Sequence, residues 1–181
     1  MKIQPTQLPD VLLIIPKVFE DERGFFYESY NQREFTHSTG LSPIFVQDNH
    51  SRSLHHALRG LHYQIQQPQG KLVRVISGTI FDVAVDLRQS SPTFGKWTGC
   101  ILSSENRHQL WIPIGFAHGF LVLSEFAEVL YKTTDYYAPQ HERCLLWNDK
   151  DLGIDWSLDE HPILSRKDKE GTPLKNADLF T

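Results

Sequence analysis

Cysteine is scarce in this 181-residue chain. Only Cys100 and Cys144 occur, so at most one bridge can form, and neither a disulfide framework nor a metal knuckle is available. Two reduced, structural thiols in a cytosolic protein are the plain expectation. A surplus of positive charge is also missing: 18 basic against 22 acidic residues leave a formal net charge of -4. That argues against a nucleic-acid partner and leaves room only for a local anion site. Long apolar runs are absent too. The longest early one, Val11–Ile15, falls far short of a membrane span, and no basic segment leads into it as a signal sequence would require. Dinucleotide and P-loop fingerprints are lacking: Gly115-Phe-Ala-His-Gly119 is followed by Phe120, not by Lys-Ser/Thr. No internal repeat or low-complexity stretch appears.

What is present is a series of short apolar segments punctuated by glycine and proline. Apolar residues make up 40% of the chain, enough for one substantial core, and the length suits a single domain over 1–181. Val11–Phe19 reads as a strand bent at Pro16, and Phe25–Tyr30 as a second strand. Asn31, Glu34 and Gly40 supply cap signals for a short helix. Pro43–Asn49 reads as a strand and His50–His56 as a polar loop. Lys71–Ile76 and Thr79–Leu87 are predicted to pair as a hairpin through Ser77-Gly78. In the return strand Phe81, Val83 and Val85 share one face, and Ile80, Asp82, Ala84 and Asp86 the other. Trp97–Ser103 and Gln109–Pro113 follow as strands. Phe120–Leu123 and Ala127–Thr133 read as a second hairpin, and a short strand is expected near Cys144–Trp147. Ser165 to Asp168 has the form of a capping box, and the residues from about 172 read as a loose tail. About ten short strands with few helical signals predict an all-β fold, a sandwich or a jelly roll.

Residues 58–76 hold the densest chemistry. His62 is a candidate general base or a structural histidine. Lys71 is either a solvated lysine at a strand start or a cation placed against an oxygen that gains negative charge. Arg23 and Arg59, each followed by glycine, suit phosphate or surface ion pairs. Tyr131 is a core tyrosine or a general acid, and Asp168 a helix cap or the partner that orients a histidine. Arg59 and His62 differ in parity, so a regular strand would point them to opposite faces. A bulge at Gly60, or a strand that starts only after Arg59, would remove the conflict. The His-x-His pair of a metal-binding barrel strand is missing after His62, and His55-His56 has no supporting ligand at a suitable spacing.

Several separated blocks, in order, carry a resemblance: Pro16–Tyr30, Phe45–His50, Leu58–Gln64, Gly70–Arg74, Phe81–Arg88, Leu110–Phe120 and Leu146–Asp149. The chain resembles the dTDP-4-dehydrorhamnose 3,5-epimerases from about Val11 to about Lys169. The resemblance implies a cupin-like jelly roll (double-stranded β-helix) with short peripheral helices, free of metal and cofactor, forming a cytoplasmic homodimer. It implies a dTDP-4-keto-6-deoxyhexose substrate, inverted at C3 and C5 on the way to rhamnose. His62 stands where the family has its base, Asp168 where the paired aspartate stands, Tyr131 at the tyrosine acting on the opposite face, and Lys71 at the lysine near the 4-keto oxygen. Arg23 and Arg59 match diphosphate contacts. Glu28, Gln47, Asp48, Asn49, His118, Glu142 and Lys167 fall at other nucleotide or sugar contacts, and Phe19 and Phe26 help hold the nucleotide.

Overall fold

The computed structural model describes residues 1–181. In chain order the strands are β1 (Lys2–Pro5), β2 (Leu12–Ile15), β3 (Phe19–Asp21), β4 (Gly24–Phe26), β5 (Gln47–Leu54), β6 (Leu58–Gln64), β7 (Lys71–Ser77), β8 (Thr79–Asp86), β9 (Trp97–Ser103), β10 (Gln109–Ile112), β11 (Phe116–Val122), β12 (Phe126–Thr133) and β13 (Glu142–Cys144). Helix α1 (Gln32–Thr39) lies between β4 and β5, and α2 (Arg166–Lys169) near the end.

Two antiparallel sheets carry the fold. One is six-stranded, in the order β1-β2-β10-β7-β12-β5. The other is five-stranded, in the order β13-β6-β11-β8-β9. β3 and β4 form a separate ribbon. This arrangement corrects the predicted jelly roll. No strand belongs to both sheets, and each sheet stops at two edges, β1 and β5 in one, β13 and β9 in the other. A closed double-stranded β-helix would need a ladder continuing past those edges, so the architecture is an open antiparallel arrangement. Alternating apolar residues specify which side of a strand is buried. They do not specify whether the ladder closes.

The main core lies between the sheets. Val73, Val75, Leu110, Ile112, Ala127 and Val129 of the six-stranded sheet pack with Ile80, Ala84, Leu102, Phe116, Phe120 and Val122 of the five-stranded one. The two-sided apolar character of β8 follows from its position. Ile80 and Ala84 enter this core, while Val83 and Val85 enter a second core on the outer face with Leu58, Leu61, Leu121, Leu145 and Trp156.

Both predicted hairpins are instead corners. β7 pairs with β10 and β12, whereas β8 pairs with β11 and β9. The Ser77-Gly78 turn therefore takes the chain from one sheet to the other. Gly78 has φ +80°, and a Cβ there would meet Phe126 O at 2.1 Å, so only glycine passes this corner. Likewise β11 and β12 lie in different sheets. The seven-residue β11–β8 and eight-residue β12–β5 pairings override the local turn signals.

Two further expectations change. His50–His56 is not all loop, because β5 runs to Leu54 as a polar edge strand paired to β12. The tail from 172 is docked rather than loose. Phe180 N–H donates to Leu87 O at 3.1 Å, and the Tyr63 hydroxyl donates to Asp178 O at 2.7 Å. The tail covers the outer core of the five-stranded sheet, where Leu174, Leu179 and Phe180 pack. α1 is capped as its sequence suggests: Asn31 accepts from Arg33 N and Glu34 N, and Gly40 closes it at φ +73°.

Candidate active site

β6 sets the site. Its register against β11 shifts between the pairs His118↔His62 and Phe120↔Arg59. Three residues of β6 span what two residues of β11 span, so the bulge anticipated at Gly60 is real. It turns Arg59 and His62 to the same side of the sheet. The bulge depends on two facing glycines. A Cβ on Gly60, at φ +126°, would lie 2.5 Å from Gly119 Cα, and one on Gly119 would lie 2.6 Å from Arg59 O.

The side so formed opens into a cavity of about 140 Å³ between the sheets. His62, Arg59 and His118 enter from the five-stranded sheet, and Lys71 and Tyr131 from the six-stranded one. Glu142, on the edge strand β13, closes one side. Six of the sequence-predicted residues thus converge. Asp168 stands behind His62: Nε2 lies 2.6 Å from Oδ1. The carboxylate can only accept, so Nε2 carries the proton and Nδ1 keeps the lone pair a base requires. Asp168 is 3% exposed. The Ser165 hydroxyl donates to its Oδ2 at 2.6 Å, and Gly60 N–H to its Oδ1 at 3.3 Å. Burial alone would raise its pKa, but the bonds from His62 and Ser165 outweigh burial and hold it below the usual carboxylate range. The same residue belongs to the α2 capping box, with its N–H donating to Ser165 Oγ. Cap and histidine partner are one residue.

Lys71 is 8% exposed. Burial brings it down to about 8, against the pull of Asp82 and Glu142. Its Nζ donates to His62 O at 3.3 Å. Burial raises the pKa of Tyr131 above the ordinary tyrosine value. His118 is bonded to Asp82 Oδ1 at 2.7 Å and pushed down by burial. Glu142 binds Lys167 Nζ at 2.6 Å and accepts from the Tyr137 hydroxyl at 2.8 Å, which brings Lys167 to the rim. Arg59 is steadied by Ser53 Oγ at 2.8 Å.

A second cavity of about 200 Å³ is lined by Tyr131, Asp48, Asn49, Ser29, Arg74 and Gln109. Gln47 bonds Asn49 at 2.8 Å. The remaining predicted residues do not converge. Phe19, Phe26 and Glu28 line a separate depression beside Pro16 and Asn31, with Phe26 67% exposed. Arg23 is exposed and pairs with Asp21 at 2.6 Å. Sequence reasoning passed over Ser51, Gln64, Gln69 and Tyr137, which line the first cavity. No local pattern marks them. Asp82 was visible, with Asp86, as a charge alternating with Ile80 and Ala84 on one strand face, and Ser165 as a cap.

A buried cation, an aspartate-held histidine and a protonated tyrosine on opposing walls suit proton transfer next to an oxygen that becomes negative. His62, Cys144 and Asp168 also offer three ligand atoms within 4.8 Å of one another.

Comparison with known proteins agrees in detail. A family model described as dTDP-4-dehydrorhamnose 3,5-epimerase matches residues 5–176. The dTDP-4-dehydrorhamnose 3,5-epimerase of Pseudomonas aeruginosa is 62% identical over 180 residues, covering 99% of each chain. Among solved structures, the dTDP-6-deoxy-D-glucose-3,5-epimerase of Legionella pneumophila, in complex with dTDP-4-keto-L-rhamnose, superposes with a TM-score of 0.95. It is 53% identical over 98% of this chain and 94% of that one. The Bacillus anthracis dTDP-4-dehydrorhamnose 3,5-epimerase, with TDP and PPi bound, gives 0.91 at 46% identity, over 95% and 98% of the two chains. With this coverage and identity, the chain belongs to the dTDP-4-dehydrorhamnose 3,5-epimerase family.

Proposed function

We propose that His62, held by Asp168, is the general base of this epimerase, that Tyr131 is the general acid on the other face of the sugar, and that Lys71 stabilises the oxygen between them. The reaction is epimerisation of a dTDP-4-keto-6-deoxyhexose at C3 and C5, giving dTDP-4-dehydrorhamnose. Both carbons flank the C4 ketone, which acidifies their protons. Nδ1 of His62 takes such a proton, and the electron pair moves onto the C4 oxygen as an enolate. The Lys71 ammonium faces that oxygen from a site where few waters compete. Tyr131 then donates its hydroxyl proton to the carbon from the opposite side, and the centre is inverted. Asp168 stabilises the imidazolium formed in between. The ketone is the electron sink, so the chemistry requires neither metal nor redox cofactor.

The observation that carries this reading is the placement of His62 and Tyr131 on facing sheets across one cavity, with the buried Lys71 cation beside them. Arg59 is assigned to the diphosphate, and His118, Glu142 and Lys167 to contacts around the sugar. Gln47, Asp48 and Asn49, beside the second cavity, are assigned to the nucleotide.

The protein is further proposed to be a single-domain cytoplasmic homodimer that binds neither nucleic acid nor membrane. No helix is long and apolar enough to cross a membrane. The exposed β3–β4 ribbon bears Phe19, Phe25 and Phe26, with Arg23 between the strands and Glu28 just beyond. Within one chain these residues share no lining with the His62 cavity. In a dimer, the ribbon of one subunit would supply Arg23, Glu28, Phe19 and Phe26 to the nucleotide held by the other.

The test is incubation of the EDTA-treated enzyme with dTDP-4-dehydro-6-deoxy-glucose in deuterium oxide, followed by NMR. Deuterium at both C3 and C5, absent with His62→Ala, is the expected result. Exchange undiminished in His62→Ala would refute the assignment of the base, and exchange at one carbon only would reduce the activity to a single inversion.

A further inference from the structure

Cys144, on the edge strand β13 behind the cavity, offers a sulfur donor that the epimerisation does not use. β13 pairs with β6 so that Cys144 lies directly opposite His62, and paired residues of an antiparallel ladder project to the same face. Its Sγ lies 3.4 Å from Leu145 O and 3.8 Å from Asp168 Oδ1. The imidazole, the thiol and the carboxylate together lie within 4.8 Å. We propose that these three groups form an inhibitory binding site for a thiophilic divalent cation, Zn²⁺ foremost, which captures the histidine–aspartate pair.

The donor set is one imidazole nitrogen, one sulfur and one carboxylate oxygen, all ligand types of zinc, and leaves a fourth position for water. Tetrahedral zinc with bonds of about 2.0–2.3 Å sets its ligands roughly 3.3–3.7 Å apart. The sulfur–carboxylate gap of 3.8 Å already suits that spacing. The His62–Asp168 gap of 2.6 Å must open by roughly 0.7 Å. Zinc enters as the Nε2 and thiol protons leave to solvent; Nε2–Zn and Sγ–Zn bonds form, and no electrons are transferred. The surroundings favour it. The Asp168 carboxylate puts negative charge beside the thiol, with Lys167 opposing it. That same negative field attracts a dication. Hard Mg²⁺ gains little from a thiol and is not expected to compete. With its Nε2 on the metal and Asp168 diverted, His62 no longer has the carboxylate that stabilises its protonated form, and turnover stops.

The site is tested on the metal-stripped enzyme titrated with Zn²⁺, Co²⁺ or Mg²⁺. Zn²⁺ is expected to inhibit at one equivalent per chain, reversibly with EDTA, and Mg²⁺ to have no effect. Co²⁺ is expected to give a thiolate-to-cobalt charge-transfer band in the parent and in Cys100→Ser. Cys144→Ser is expected to lose that band and to need on the order of tenfold or more Zn²⁺ for half-inhibition, while keeping its metal-free kcat/KM. The inhibitory role rests on His62 and Asp168 being the catalytic pair; the cobalt spectrum does not. Absence of the band in Cys100→Ser would overturn the site even if Cys144→Ser fails to fold. A band at one equivalent without inhibition would overturn the inhibitory role and the catalytic assignment of the pair, and leave the metal site standing.

Discussion

Replacing Lys71 by methionine separates what the residue does for the reaction from what it costs the fold. Met has nearly the same length and no charge. Lys71 is brought from 10.5 to about 8, with burial the largest cause. At about 1.4 kcal/mol per pH unit, holding the charged form inside the fold costs about 3 kcal/mol at neutral pH. Losing the Nζ bond to His62 O gives back about 1 kcal/mol, so Lys71→Met is expected to be about 2 kcal/mol more stable than the parent at pH 7. The sign with pH follows from proton counting. Below about 8 both folded and unfolded chains carry the charge, and the whole penalty is present. Between about 8 and 10.5 the unfolded chain binds more protons, so the parent gains stability as pH rises, and the advantage of the variant shrinks. Taking the difference between the two proteins cancels the tyrosines and thiols that titrate in the same range. Urea unfolding of both at pH 7 and pH 10 measures it. The variant should at the same time lose on the order of 10²–10³ in kcat, as when one group stabilising an oxyanion is removed. A variant no more stable than the parent at pH 7, or a difference that does not change with pH, would refute the claim that Lys71 is held charged against its burial. A variant with near-parental kcat would refute its role at the oxygen.

Three other outcomes are expected. The rate should fall as pH rises through about 8, because Lys71 loses its charge there; a log kcat/KM profile flat from pH 7 to 9.5 would contradict this. Tyr131→Phe should still exchange substrate hydrogen for deuterium, since His62 can return a deuteron to the face from which it took the proton, but it should not invert the centre; NMR resolves exchange from inversion. Gly60→Ala should be destabilised by about 3 kcal/mol or more, because its Cβ would sit 2.5 Å from Gly119 Cα and 2.8 Å from His118 O; an unchanged Tm would mean that the bulge is not needed.

How far the sequence leads depends on the range of the interaction concerned. The period of two over Thr79–Asp86 reports burial on both sides, and the fold obeys it residue by residue: Ile80 and Ala84 inward, Val83 and Val85 outward. Periodicity does not choose partners. Ser77-Gly78 reads as a hairpin turn, yet β7 and β8 part into different sheets because β10, β11 and β12 arrive later in the chain and pair with them. For the same reason the closed jelly roll was a misreading: edges are properties of the assembled ladder. Within the site, the parity conflict between Arg59 and His62 allows either a bulge at Gly60 or an Arg59 outside the strand; β6 includes Arg59 and carries the bulge. Asp168 was legible both as a cap and, through the family resemblance, as a histidine partner. Gln64, Gln69 and Tyr137 were not legible. They reach the cavity through loops and through a strand end whose positions are set by tertiary packing.

The open two-sheet arrangement bears directly on the proposed chemistry. Inversion at a carbon next to a ketone needs a base on one side of the sugar ring and an acid on the other, and the two must not exchange their proton directly. A single sheet cannot provide this, because residues on one of its faces approach a ligand from one side. Here β6 and β12 lie in different sheets, so His62 and Tyr131 come from separate layers and line one cavity. Lys71, on β7 next to β12, shares the tyrosine's layer, yet its Nζ reaches across to the backbone of His62. The cation thereby spans the gap in which the ketone oxygen would lie. The single His62–Tyr131 pair has a further consequence. C3 and C5 lie on either side of C4, so one base can serve both only if the ring presents them in turn while the nucleotide stays bound.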